Sequence, residues 1–136
     1  MTGTRGLTAT AALLLAAGAV LAGCSDGGTS AVCSELDDLR QSVQNLSEVS
    51  LGEGALSTIT DQLGTIRDQL DTLKDDAEAE YADEIDAVSA AVQAMSSDLD
   101  AAVSNPGAET LTALGPAIST VASSMSSLAS AVGDTC

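Results

Sequence analysis

The sequence predicts an all-α protein, an antiparallel up-down-up-down four-helix bundle. Four segments each carry an apolar stripe whose members are three and four residues apart in alternation, which is the spacing of one face of an α-helix. Apolar and polar residues do not alternate over more than a few positions, so strands are not expected. Four amphipathic helices with short connections bury their apolar faces best in one shared core.

The four stripes define the expected core. Their members are, in chain order, Val32, Leu36, Leu39, Val43 and Leu46; Leu56, Ile59, Leu63, Ile66, Leu70 and Leu73; Ile85, Val88, Val92, Met95 and Leu99; and Leu111, Leu114, Ile118, Val121, Met125, Leu128 and Val132. Many flanking positions are alanine, and the chain has no Phe or Trp. Because no large ring fills space, we expect a lean core that depends on additional constraints for stability.

Glycine and proline mark two of the three connections. The glycines within residues 52–54 separate the first two stripes. Before the last stripe, Asn105 is expected to be the helix N-cap and Pro106 the first helical residue. Within the last segment, residues 115–116 are a Gly-Pro pair that should kink or restart the helix, because proline has no N–H to donate. Gly133 should end that helix.

The middle connection has no glycine or proline. The apolar stripe changes phase there, in steps of four through Ala77, Tyr81 and Ile85. One continuous helix over residues 55–104, roughly 75 Å long at about 1.5 Å per residue, is one interpretation. A turn near residues 77–82 is the interpretation we favour, because two separate two-helix arms would each bury too little apolar surface.

An oligomeric coiled coil is an alternative to the single-chain bundle. Unbroken stripes of this spacing also suit seams between separate chains. The short connections favour packing within one chain, and the oligomeric state stays open.

The composition excludes several classes of function. The chain has 136 residues with 20 Asp and Glu, 4 Lys and Arg, no His, and a formal net charge of −16. That charge repels phosphate backbones, and Tyr81 is the only ring on which a base could stack, so nucleic-acid binding is not expected. No cofactor is expected either.

Catalysis has few candidate residues. Without histidine the commonest general base and metal ligand is missing. The only lysine, Lys74, lacks the serine three residues earlier that a Ser-Lys nucleophile would need, since that position is Asp71. The chain has no glycine-rich phosphate loop and no Cys-x-x-Cys motif. We therefore expect that the protein is not an enzyme.

The first 24 residues have the pattern of an export signal. Residues 1–10 carry one charge, Arg5, and an apolar run of 12 residues follows over 11–22. That run is too short to cross a hydrocarbon core of about 30 Å as a helix. It ends in Leu21-Ala22-Gly23-Cys24, which resembles the lipobox of bacterial lipoprotein precursors. The resemblance implies cleavage before Cys24 and attachment of diacylglycerol to the Cys24 sulfur.

This resemblance also implies a location and a domain organisation. A lipidated chain would lie on the outer face of the cytoplasmic membrane, and two or more acyl chains hold a protein there durably. Residues 1–23 would be the cleaved signal peptide, residues 24–29 a flexible linker carrying lipidated Cys24, and residues 30–136 the helical bundle.

Two cysteines remain once Cys24 is assigned to the lipid by this resemblance. They are Cys33 and Cys136, which bracket the mature body and would be exported to an oxidising compartment. A disulfide between them would join the ends of the bundle and close 103 positions. The chain-entropy treatment assigns such a loop roughly 4–5 kcal/mol. A metal site fits two cysteines without histidine less well than a disulfide does.

The body resembles small uncharacterised helical lipoproteins of high-GC Gram-positive bacteria. Its usage, rich in Ala, Asp, Ser and Thr with one Lys, carries that likeness. The likeness implies a lipid-anchored envelope protein and assigns no functional residue.

An acidic cluster surrounds the middle connection. It consists of Asp75, Asp76, Glu78, Glu80, Asp83, Glu84 and Asp86. These carboxylates form either a solvated turn or a loose divalent-cation site, without the spacing of an EF-hand. In the expected topology this end lies near Cys24, so anionic headgroups would repel it unless cations bridge the two.

The last helix has an unusual composition. Residues 110–133 contain no charge, although the rest of the chain is densely acidic. They are either a small-residue helix packed closely on its neighbours or a docking face for another envelope protein. The candidate contact residues are Ser119, Ser123, Ser126, Ser127 and Ser130. The function we expect is non-catalytic scaffolding or binding of an envelope protein, and the alternative is binding of a divalent cation or small ligand by residues 75–86.

Overall fold

The structure is a computed structural model that describes residues 26–52, 54–77 and 79–136. All its regular elements are helical, and the four-helix bundle is confirmed. The helices are α1 (Asp26–Ser47), α2 (Ala55–Asp76), α3 (Ala82–Ser104) and α4 (Ala108–Val132), with a 3-10 turn at Ala79–Tyr81.

The turn between α2 and α3 is confirmed. The backbone of Ala77 is extended, and its N–H donates to the carbonyl of Leu73 at 2.8 Å, which ends α2. The 3-10 turn then leads into α3. Ala77 and Tyr81 are half-buried and pack against the core. The phase change in the stripe therefore marks the place where α3 folds back along α2.

The four apolar stripes meet in one core. Every stripe residue is buried except Leu56 and Leu111, which are half-buried against the core. Three alanines are buried as well, Ala55, Ala91 and Ala102. Small side chains at these positions let neighbouring helices approach closely, which compensates in part for the absence of aromatic rings.

The predicted linker over residues 24–29 overlaps the start of α1. Helix α1 begins at Asp26, so residues 26–29 are helical. A helix already anchored by Val32 and Leu36 adds one hydrogen bond for each residue that it gains. The predicted signal peptide, residues 1–23, and Cys24 lie outside the described residues.

Helix α4 starts differently from the expectation. Asn105 is the C-cap of α3, with its N–H donating to the carbonyl of Ala101 at 2.9 Å, and Pro106 lies in the connection. The N-cap of α4 is Gly107, whose N–H donates to Thr110 Oγ1 at 3.1 Å. Because the Thr110 hydroxyl satisfies this N–H from inside the helix, α4 begins after the proline.

The expected restart of the helix at the Gly-Pro pair is also wrong. Helix α4 runs through Pro116 as one helix. The proline removes the donor to the carbonyl of Thr112, and both residues are exposed. Water can therefore hydrate that carbonyl, and the helix continues. It ends at Val132 with Gly133 as C-cap, as predicted.

The bundle is built from two helical hairpins. Helices α1 and α2 pack closely on each other, as do α3 and α4, and two thinner seams join the hairpins, α2–α3 and α1–α4. The start of α1, the α2–α3 connection and the C-terminus share one end. There the Cys33–Cys136 disulfide is formed, with a Cα–Cα distance of 5.7 Å. The Tyr81 hydroxyl lies 2.6 Å from Thr135 Oγ1 at the same end.

Leucines at different depths of α2 should differ in their effect on stability. Leu63→Ala should lower the free energy of unfolding by about 2–5 kcal/mol, because Leu63 is 2% exposed and its removal leaves a cavity. Leu56→Ala should cost about 1 kcal/mol, since Leu56 is already partly in water. Urea denaturation of both variants measures this, and equal losses of stability would contradict the deeper burial of Leu63.

Two glycines should respond to alanine with opposite signs. Gly54 precedes α2 with φ +83°, a left-handed conformation that costs a residue with a Cβ roughly 1–2 kcal/mol. Gly64 is exposed inside α2 with open space at its Cβ position, so Gly64→Ala should stabilise the helix by roughly 0.5–1 kcal/mol. Thermal unfolding followed by circular dichroism should show Gly54→Ala melting below and Gly64→Ala above the parent chain.

Candidate functional site

The acidic cluster lies at the end of the bundle where α1 begins. Its members sit on the last turn of α2, the 3-10 turn and the first turns of α3. Asp75, Asp76, Glu80 and Asp83 are exposed, whereas Glu84 is half-buried. Their carboxylates therefore face water around one connection.

No cation site is formed by the described part of this cluster. Among the residues that the structure describes, no three cysteine or carboxylate side chains lie close enough together to hold a metal ion. Glu78 lies outside the described residues. Asp86 is engaged elsewhere, since it accepts a hydrogen bond from Lys74. The geometry thus offers no support for the cation-binding alternative.

The α2–α3 seam is fastened by polar side chains. Lys74 Nζ donates to Asp86 Oδ1 at 2.8 Å, and the Arg67 guanidinium donates to the Ser96 hydroxyl. The hydrogen bond to Asp86 and the negative charge of that carboxylate raise the pKa of Lys74 above its ordinary value of 10.5. Both basic residues thereby tie the first hairpin to the second.

From Thr112 to its C-terminal end, one side of α4 is exposed and carries no charge. All five serines predicted as contact residues are exposed on this helix: Ser119, Ser123, Ser126, Ser127 and Ser130. We call this surface the α4 face. It is continuous along the helix with exposed Thr112 and Pro116.

The hydroxyl groups of the α4 face are largely used within the helix. Ser119, Ser126 and Ser130 each donate to the backbone carbonyl four residues earlier, at 2.9–3.2 Å. Ser127 donates in the same way to the carbonyl of Ser123 at 3.3 Å. Because these donors are satisfied, covering them does not leave unpaired N–H or O–H groups. The face can lose its water at low cost.

A groove of about 490 Å³ runs beside the α4 face, between α1 and α4. Val43 and Met125 are buried residues that line it, and Arg40 and Glu48 lie two helical turns apart on its α1 side. Ser126 and Ser130 belong to both the groove and the α4 face. A second, smaller groove of about 180 Å³ lies in the α2–α3 seam.

Sequence reasoning missed the α1–α4 groove. Its α1 wall includes Arg40, Gln44 and Ser47, polar residues that flank the stripe at helical spacing. That spacing is a weak signal, because any amphipathic helix has such a border. Only the distance between α1 and α4 turns the border into one wall of a groove.

The predicted lipidation site and the comparisons with known proteins add no further site. Cys24, the predicted lipidation site, lies outside the described residues. Within the described residues no helix is long and apolar enough to cross a membrane. No protein-family model matches the chain, and no curated protein or solved structure is significantly similar to it.

The Lys74–Asp86 pair should make stability depend on pH at the alkaline end. Because folding raises the pKa of Lys74 above 10.5, the pair stabilises the fold below that pH, and its contribution disappears as pH rises through the folded-state value. Lys74→Met should therefore be less stable than the parent chain at pH 8, and this difference in stability should disappear as the pH rises past the folded-state pKa of Lys74.

Urea denaturation between pH 8 and 12 measures that difference. Asp86→Asn serves as the control, because it removes the carboxylate partner of Lys74. When Asp86→Asn is present, adding Lys74→Met should no longer change stability in a pH-dependent way. A difference between Lys74→Met and the parent chain that stays constant through the alkaline range would contradict the role of the ion pair.

Proposed function

We propose that this chain is a non-catalytic, lipid-anchored protein of the bacterial cell envelope that binds another envelope protein through the α4 face. The observation that carries the proposal is an exposed helix face without charge on a chain of net charge −16. Its hydroxyls are bonded back to the helix, which lowers the cost of desolvation. A partner can cover this face without burying unpaired carboxylates.

Side-chain size supports the same role. The side chains of serine and alanine are short, so the backbone of a partner helix can come close to α4. The core of a protein interface is depleted in charged residues, and α4 is the helix of the bundle that has this property over most of its length. The dense carboxylates on the other helices would repel acidic proteins and restrict binding to this side.

The position of Cys24 gives the bound complex an orientation. Helix α1 begins at Asp26, two positions after Cys24, and two positions of chain span at most about 7 Å. A lipid on Cys24 would hold the acidic end of the bundle within a Debye length of about 8–10 Å of the headgroups. Anionic lipids would repel that end, which favours a bundle standing upright with α4 reaching roughly 35 Å from the surface. Partners that diffuse along the membrane would meet the α4 face from the side.

Charge placed on the α4 face should abolish partner capture. We expect Ser123→Glu combined with Ser127→Glu to lower capture at least tenfold, because two buried carboxylates without partners oppose binding. The measurement is in-cell crosslinking of the full-length chain, enrichment from the membrane fraction and quantitative mass spectrometry.

A matched control distinguishes the face from the added charge. Thr60→Glu with Thr65→Glu adds the same two charges to exposed positions of α2, whose hydroxyls also bond to carbonyls four residues earlier. This control should retain the crosslinked partner. Capture that survives in the α4 variant would rule out this face, and capture lost equally in both variants would point to net charge instead.

A further inference from the structure

The two seams between the hairpins are fastened by different means. The α2–α3 seam has the Lys74–Asp86 ion pair, the Arg67–Ser96 hydrogen bond and the chain connection itself. Across the α1–α4 seam, no side-chain hydrogen bond or ion pair joins the two helices in the part of the chain that the structure describes. The disulfide from Cys33 to Cys136 is the link at that seam.

The groove in the α1–α4 seam is the larger of the two seam grooves. Its volume of about 490 Å³ is well over twice the volume of the groove in the α2–α3 seam, about 180 Å³. Val43 and Met125 line the larger groove, and each is at most 4% exposed. A small separation of α1 from α4 would therefore bring water to these buried apolar side chains.

The disulfide is accessible to a reductant. Cys136 is exposed and follows α4 by only a few residues, whereas Cys33 is half-buried on α1. Attack by an external thiolate is therefore directed at the sulfur of Cys136, the less hindered of the two.

We propose that the Cys33–Cys136 disulfide is a redox latch. Its reduction frees the α1–α4 seam to open, while the hairpins α1–α2 and α3–α4 stay packed on each other through the α2–α3 seam. In the closed state the bundle presents one groove between α1 and α4. In the reduced state the hairpins separate along this groove and stay joined through the α2–α3 seam.

The redox step balances with a dithiol as the reductant. One thiolate of the dithiol attacks Cys136 Sγ, which forms a mixed disulfide and releases the Cys33 thiolate. The second thiol of the reductant then attacks the mixed disulfide and releases the Cys136 thiolate. Two electrons pass to the protein, the two thiolates take up two protons, and the reductant leaves as a disulfide. A disulfide-carrying oxidant reverses the sequence.

Two methionines report on the opening from inside the chain. Met125 lines the α1–α4 groove and is 3% exposed. Met95, which is 0% exposed, belongs to α3 and lines neither of the two seam grooves. Conversion of methionine to its sulfoxide by peroxide requires access to the sulfur, so its rate measures exposure.

The experiment compares the disulfide-closed full chain with Cys33→Ser/Cys136→Ser and with the parent chain reduced by a phosphine. Free thiols are blocked with iodoacetamide in all samples, hydrogen peroxide is added, and peptide mass spectrometry follows each methionine. We expect sulfoxide formation at Met125 to rise roughly tenfold or more in both open forms, with less than a twofold change at Met95. Helix content by circular dichroism should stay the same.

Two results would overturn the latch. An unchanged rate at Met125 would mean that the seam remains shut without the disulfide. An equal rise at Met95 and Met125 with loss of helix content would mean that reduction unfolds the whole bundle, so that the disulfide holds the fold together and does not control one seam.

Discussion

Burial of four aliphatic stripes against one another is the interaction on which the rest of this structure depends. No aromatic ring fills the centre, so the core consists of Leu, Ile, Val and Met with alanines at the closest approaches. A core of this kind gives the fold only a small free energy of unfolding. A covalent link worth roughly 4–5 kcal/mol by the chain-entropy treatment is therefore a large addition to the stability of the bundle. The same need for burial forces the turn at Ala77, because α3 must return along α2 to complete the core.

The distribution of charge over the outer faces of the helices follows from this packing, and the functional proposal is based on it. With the aliphatic residues inside, the outer faces of α1, α2 and α3 carry nearly all the carboxylates, and the face of α4 carries none. Two of the few basic side chains form ion pairs with carboxylates of the bundle, Arg40 with Asp37 and Lys74 with Asp86. The result is a molecule that is repelled by acidic surfaces on most sides and open to contact on one.

The sequence predicted the core better than the ends of the helices. Stripe residues such as Leu39 and Ile59 are buried as predicted. Their burial can be predicted because the spacing and hydrophobicity of a stripe are properties of the segment itself. The start of α4 was misplaced because Thr110, inside the helix, satisfies the N–H of Gly107. Pro116 was expected to break α4, but the carbonyl that it leaves without a donor lies on the exposed side, where water can replace the hydrogen bond.

The sequence by itself determined the all-α class, the four stripes, the acidic cluster and the uncharged last helix, since these depend on residue type and spacing along the chain. The pairing of Cys33 with Cys136 was predicted after the lipobox resemblance had assigned Cys24 to the lipid, and the structure confirmed the pairing. Only the tertiary structure decided which helices form close hairpins and which meet at thin seams. It alone also decided that the acidic cluster leaves its described carboxylates apart, because distances between side chains on different helices depend on how the helices pack.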